Sequence, residues 1–288
     1  MLRQVDKVYS APTRHWVGDG FYVSPLFNHM QGDKFTSPFL MLDYAMPQHF
    51  APHEAKTPKG VGAHPHAGFE TVTIALQGEV AHRDSAGNGG VIAAGDVQWM
   101  TAGNGVIHEE FHSEVFSQQG GMFEMVQLWV NLPAAQKNVP AAYQSIKAAD
   151  IPLWEAEGAS VRLIAGTLAG LRGAARTFTE LNVWEVDLAA GSTLTLPIPQ
   201  AHNLLLVGLR GTVRLNDTES VQPTELVTFT DKGTEIRLTT GSDAATLLLL
   251  SGVPIDEPIA AYGPFVMNSR AEILDKIQAF NVGHFGQL

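Results

Sequence analysis

Short apolar runs with a two-residue rhythm dominate the chain. Residues 70–76, 95–100 and 125–132 are rich in β-branched and aromatic side chains. Turn signals such as Gln77-Gly78, Ser85-Ala86-Gly87-Asn88-Gly89-Gly90 and Ala94-Gly95-Asp96 separate them. Runs of this length and composition form strands, and the close spacing of the turns leaves no room for long crossover helices. In residues 127–132, Gln127, Trp129 and Asn131 alternate with Leu128, Val130 and Leu132, which sets a polar face against an apolar one. A sandwich or a barrel satisfies such a pattern, and a barrel lumen gives the polar face somewhere to point.

From residue 132 to about 154 the texture changes. Pro133, Pro140 and Pro152 bracket Ala-rich polar sequence that reads as a connector with room for one short helix. A second strand-rich block follows, with runs at 182–188, 203–209, 212–215, 225–229 and 245–250. Near the end, Ser269 is an N-cap and Glu272 stands at the third helical position. Ile273, Leu274, Ile277 and Phe280 recur at helical spacing, so this segment is a helix. The 288 residues exceed one typical domain. The pattern therefore predicts an all-β chain of two strand-rich blocks, each a sandwich or a barrel, with a short C-terminal helix. The first block covers 1–135, the connector 136–160, and the second block with its helix 161–288.

Charge and cysteine content narrow the chemistry. The formal net charge of −11, with no Lys/Arg cluster, excludes direct nucleic-acid binding. The absence of cysteine excludes disulfides and thiolate ligands, so any metal must be held by imidazole and carboxylate. The start, Met1-Leu2-Arg3-Gln4-Val5-Asp6-Lys7, lacks the apolar core of a signal peptide, and residues 247–250 are too few to span a bilayer. The expectation is a cytoplasmic protein without a membrane partner.

Two histidines, His64 and His66, are separated by one residue, so on an extended strand both imidazoles share a face. His108 and Glu110 repeat that spacing after a Gly-rich turn. A single strand histidine is ordinarily a hydrogen-bonded core residue. Two such pairs are hard to explain by packing, because buried titratable groups are costly without a partner. If both strands face one lumen, His64, His66, His108 and Glu110 converge on one divalent transition metal. Fe(II), Zn, Mn, Ni and Cu all suit this donor set, and four ligands leave positions open on an octahedral ion. A zinc ion closed into a structural site is the alternative.

Even parity also aims Glu70 into the lumen, unless Gly68 introduces a bulge. Phe69, Gln127 and Trp129 are expected to line a substrate cavity. His112 continues the parity of His108 and Glu110, but its expected place is beyond the strand, on the surface or behind the ligands. His82, Arg83 and Asp84, before a Gly-rich turn, read as solvated loop residues, and His15, His29, His49 and His53 likewise as ordinary ones. The second block holds only His202 and His284, unpaired. Its expected role is structural, packing on the first barrel and walling part of the cavity.

The segment from His64 to Thr73, with residues 95–103, resembles the pirin family of bicupins. The resemblance extends to residues 39–43, 127–133 and 259–268 and so spans nearly the whole chain. It implies two stacked antiparallel cupin barrels with a metal, often iron, only in the first. The family's ligands map to His64, His66, His108 and Glu110, with Glu109 between the last two, while the first-motif glutamate, Glu70 here, is not a ligand. Several bacterial pirins resemble quercetin 2,3-dioxygenases, which open the flavonol ring with O2 and release carbon monoxide. The resemblance thus implies an oxidoreductase in which Glu110 and Glu70 are the catalytic carboxylates and Fe(II) the leading cofactor. Its partners would be a flavonol-like substrate and O2. Other pirins imply a non-enzymatic metal-binding regulator that contacts a transcription factor or a metabolic enzyme.

Overall fold

The computed structural model describes residues 1–10, 12–29, 34–54 and 56–288. The chain divides into two compact units. The first comprises Thr13–Met30, Phe39–Ala148 and Ile255–Leu288; the second comprises Met1–Pro12, Gln31–Pro38 and Ala149–Pro254. These bounds differ from those read in the sequence, because the two chain ends are exchanged. Val5–Tyr9 pairs with Leu226–Phe229 in the second unit, and the terminal segment with its helix belongs to the first. Neither exchange leaves a mark in local hydrophobic rhythm. The connector is also less passive than expected: its strand Ala142–Ile146 extends a sheet of the first unit along Val97–Thr101.

Each unit pairs a seven-stranded with a four-stranded sheet. In the first, the large sheet runs Ala142–Ile146, Val97–Thr101, Phe69–Gln77, Gly121–Asn131, Phe39–Phe50, Phe21–Asn28, His15–Val17. The small sheet runs Gly60–His66, Val106–His112, Glu79–Asp84, Gly89–Ala93. All of these neighbours are antiparallel. Among the described residues no helix is long and apolar enough to cross a membrane.

The two interiors differ in kind. The second unit fills its core with Leu and Val around Trp184, for example Leu163, Leu196, Leu206, Leu238, Leu247 and Leu249, all essentially without solvent exposure. The first unit has an apolar plug of Phe21, Val23, Phe50, Val80, Ile92, Phe116, Phe123 and Met125. The rest of its lumen carries polar side chains.

Alternation decides which side chains reach that lumen. Gln127 pairs with Thr73, and their side chains meet 2.9 Å apart, so Phe69, Thr71 and Thr73 form the inward row and Glu70, Val72 and Ile74 the opposite one. The parity that would have joined Glu70 to His64 and His66 is broken between two sheets. The chain turns at Gly68, whose φ is +88°. A Cβ there would lie 2.0 Å from the Val266 carbonyl oxygen, so only glycine makes the turn. Glu70 is therefore buried away from the lumen, where it accepts a 2.7 Å hydrogen bond from Thr101 Oγ1.

The terminal segment is tied into the first unit. Ala67 bridges to Phe265, and the buried Lys137 ammonium donates to Gly68 O, Asn131 Oδ1 and Val266 O. The helix Arg270–Asn281 has the expected Ser269 cap, which accepts from Glu272 N. Its Ile273 is buried among Ala67, Phe265, Met267 and Phe285, while Leu274, assigned by spacing to the same stripe, is exposed.

Burial pushes the Glu70 carboxyl up to about 7 against an ordinary value of 4.5, with the bond from Thr101 opposing. A folded-state pKa above the unfolded one means that stability falls as pH rises from about 4.5 to about 7 and levels beyond, by on the order of 3 kcal/mol. In Glu70→Gln this decline should flatten and the variant should gain stability at pH 8. Denaturation midpoints across that range, with the same slope in both proteins, would refute the assignment.

Candidate metal centre

Antiparallel pairing sets His108 directly opposite His64, and Val106 opposite His66. The two-residue period then brings three imidazoles together. Ring centroids lie 4.3 Å apart for His64 and His108, 4.8 Å for His66 and His108, and 4.8 Å for His64 and His66. One nitrogen from each ring lies within 4.8 Å of those of the other two. His66 and His108 are buried and His64 is half-buried.

Their protonation suits a cation. Burial first, then the neighbouring imidazoles, hold His66 and His108 well below the ordinary 6.5, so both are neutral at pH 7. His64 Nδ1 lies 2.8 Å from the Gly62 carbonyl, which can only accept. That nitrogen therefore donates, which leaves Nε2 as the position that can face a ligand. His66 Nδ1 and His108 Nε2 are buried without a hydrogen-bond partner. Buried polar atoms rarely stay unsatisfied, and these would be satisfied by a divalent transition metal, whose preferred donors include neutral imidazole.

Glu110 is buried in the same lumen, but not within the three-imidazole group. A register shift between His108 and Glu110 places it opposite Val61, and it clusters instead with His108 and His82. Its Oε1 lies 3.1 Å from the Thr73 hydroxyl and 3.3 Å from Gln98 Nε2. The four-ligand convergence expected from spacing is thus three imidazoles, with the Glu110 carboxylate in a second group that shares His108.

Two further sequence readings need correcting. His82 and Asp84 are not loop residues: they alternate with Val80 on the buried row of Glu79–Asp84, and only Arg83 points to solvent, paired with Glu109. Their His-X-Asp spacing is the same signal used for the ligands. His112 is not at the surface, because the strand continues through it. It is fully buried among Phe21, Phe50, Phe116 and Phe123 with Nε2 3.0 Å from Gly20 O, and burial lowers it to about 4.

His64, His66 and Glu110 open onto a cavity of about 240 Å3. Trp129 and Gln127 line it as expected, but Phe69 does not. Phe69 is buried behind Trp129 and His66, with ring centroids at 4.2 and 5.1 Å. Val17, Phe21, Val23, Met41, Val61 and Met125 give the remaining walls an apolar character. Among the described residues, all those that line it belong to the first unit. Asp43, missed in the sequence, faces Gln127 across the sheet and also lines the cavity. Burial pushes it up to about 6, with His15 opposing. A larger open depression of about 540 Å3 on the second unit is lined by Glu155, Ser160, Asp187, Arg210 and small residues, with no imidazole.

Comparison with known proteins agrees with this geometry. The family model described as Pirin matches residues 20–130, and that described as Pirin C-terminal cupin domain matches residues 183–286. A Pseudomonas aeruginosa protein that carries the provisional name quercetin 2,3-dioxygenase is 48% identical over 287 residues, 99% of each chain. A Solanum lycopersicum pirin-like protein is 36% identical over 86% of this chain and 82% of its own. Among solved structures, the 1.88 Å crystal structure of quercetin 2,3-dioxygenase from Acinetobacter baumannii is 49% identical. It superposes with a TM-score of 0.95, covering 100% of this chain and 99% of that one. With both halves matched and such relatives along its whole length, the chain belongs to the pirin family, and its fold is a pair of antiparallel cupin-type barrels.

Proposed function

We propose that this protein is a metal-dependent dioxygenase that opens the ring of quercetin-like flavonols with O2 and releases carbon monoxide. One observation carries the reading: three imidazoles, two of them with buried unpartnered nitrogens, converge beside a largely apolar cavity. Two relatives of about half identity named for this activity add support. His64, His66 and His108, joined by Glu110, would hold one divalent ion. Fe(II) leads, and Zn, Mn, Ni or Cu also suit the donors. Bound there, the metal would supply Lewis-acid and redox chemistry for the reaction of the substrate with O2.

The chain's own groups bind, orient and move a proton. Trp129, Met41 and Met125 offer apolar and soft surface to a flat aromatic system, and Gln127 offers an amide to its oxygens. The cavity is smaller than the roughly 300–1,000 Å3 of sites for drug-sized ligands, so it takes one end of a flavonol. Glu110 and Asp43 are the carboxyl groups that line it. Glu110 stands with the imidazoles, which leaves Asp43 to accept the substrate's hydroxyl proton. Glu70, buried on the far face of its strand, takes no part.

Metal-loaded protein should bleach the near-visible absorbance of quercetin in air and release carbon monoxide. His66→Ala should lose both bound metal and turnover. Absence of metal-dependent turnover would defeat the dioxygenase reading and favour a regulator that acts through a protein partner. If Asp43 is the base, turnover should rise with pH through about 6, because only the ionised carboxylate accepts a proton. Asp43→Asn should lose that limb and about 10²-fold in rate while keeping its metal. An unchanged pH profile in the variant would remove Asp43 from the mechanism.

A further inference from the structure

We propose that His82 is a positioning residue of the metal centre: set by Asp84 and Gln98, it accepts the Nδ1 proton of His108 and so presents the His108 Nε2 lone pair to the site shared with His64 and His66. The inference rests on the metal reading for its purpose, and on hydrogen-bond logic for its content.

The logic starts at Glu110. Gln98 Nε2 lies 3.3 Å from Glu110 Oε1 and 3.2 Å from His82 Nδ1, in the buried lumen. Glu110 Oε1 already accepts from the Thr73 hydroxyl, so the amide turns its NH2, not its oxygen, toward it. The second N–H of that NH2 then points at His82 Nδ1, which must be an acceptor. A neutral imidazole with an acceptor at Nδ1 carries its proton on Nε2.

The surroundings of His82 agree. Its Nε2, which has no hydrogen-bond partner, faces Asp84 Oδ2 at the ion-pair distance of 3.6 Å, with both side chains about 1% exposed. Asp84 cannot swing away, because Oδ1 takes backbone N–H groups from Ala86 and Asn88 at 2.9 Å, and Asn88 Nδ2 lies 3.2 and 3.0 Å from its two oxygens. Tyr143 stacks on the His82 ring, 5.0 Å away and 11° from parallel, which fixes the plane of the imidazole.

His108 Nδ1 lies 3.4 Å from His82 Nδ1. Of two ring nitrogens in hydrogen-bond contact one donates, and the single lone pair of His82 Nδ1 is then shared between Gln98 Nε2 and His108 Nδ1. His108 therefore carries its proton on Nδ1 and its lone pair on Nε2, the atom that is buried with no partner. His64 reaches the same tautomer independently through Gly62. Outer partners of this kind commonly orient a metal-binding imidazole and strengthen it as a ligand. The competing arrangement makes His82 itself a ligand beside His108 and Glu110, whose donor atoms also cluster.

In metal-free protein labelled with 15N-histidine, long-range 1H–15N correlations should show His108 protonated at Nδ1 and His82 at Nε2. His108 protonated at Nε2 would overturn the proposal, and this measurement stands whether or not the protein takes up metal. With Cu2+ as the probe, competition against a chelator should show His82→Leu binding 10- to 100-fold more weakly. His82→Asn, whose side-chain oxygen can stand in for Nδ1, should recover most of that loss. Pulsed EPR should count the same number of copper-bound imidazoles in wild type and in both variants; one fewer in the variants would make His82 a ligand and defeat the proposal. A wild-type protein that binds no Cu2+, Fe2+ or Ni2+ would refute the metal reading separately, with the tautomers still deciding the role of His82.

Discussion

Pairing of Gly60–His66 with Val106–His112 fixes where every group at the centre can be. Because side chains alternate along a strand, a slip of one residue in this ladder would carry His108 and Glu110 to the outer face. The register is held by more than backbone bonds. The inward row Val106, His108, Glu110, His112 begins against Ala102 and ends in the aromatic plug, and moving it would strand His112 outside that plug. The same row thus supplies the chemistry at its middle and the anchorage at its ends.

The two units show what a lumen of this kind costs. The second is packed with Leu and Val, and burial of such side chains at about 1.5–3 kcal/mol each leaves no need of polar partners. The first gives up part of that core to imidazoles, carboxylates and amides, each tolerable only inside a network. Thr73, Gln98, His82, Asp84 and Asn88 form such a network, and beside it His66 Nδ1 and His108 Nε2 stay without a partner. Among the described residues, both groupings able to hold a metal lie in this unit.

The three imidazoles were legible because i, i+2 spacing on a strand is a purely local property, and the terminal helix because its cap and stripe are local too. Glu70 was misplaced because parity was counted across Gly68, where the chain leaves one sheet for another, whereas Phe69 points inward but is covered by Trp129 and His66. His82 and Asp84 were misread because the Gly-rich turn after them masked the strand they close, although their spacing matched that of the ligands. Asp43 carried no signal of its own; only the pairing of Phe39–Phe50 with Gly121–Asn131 sets it beside Gln127. The exchange of chain ends was likewise invisible, since a strand's pattern says which face is buried but not against which partner.

That exchange has a consequence for biosynthesis. The turn at Ala67–Gly68, which sends the chain from His66 into the next sheet, rests on the backbone of Phe265 and Val266 and on the Lys137 ammonium that joins them. A nascent chain paused after its first 150 residues has made every imidazole of the centre but lacks the strap that braces the loop beside it. That brace can form only once residues 265–266 have been made, so the loop beside the imidazoles takes its final form later than the strands that carry them.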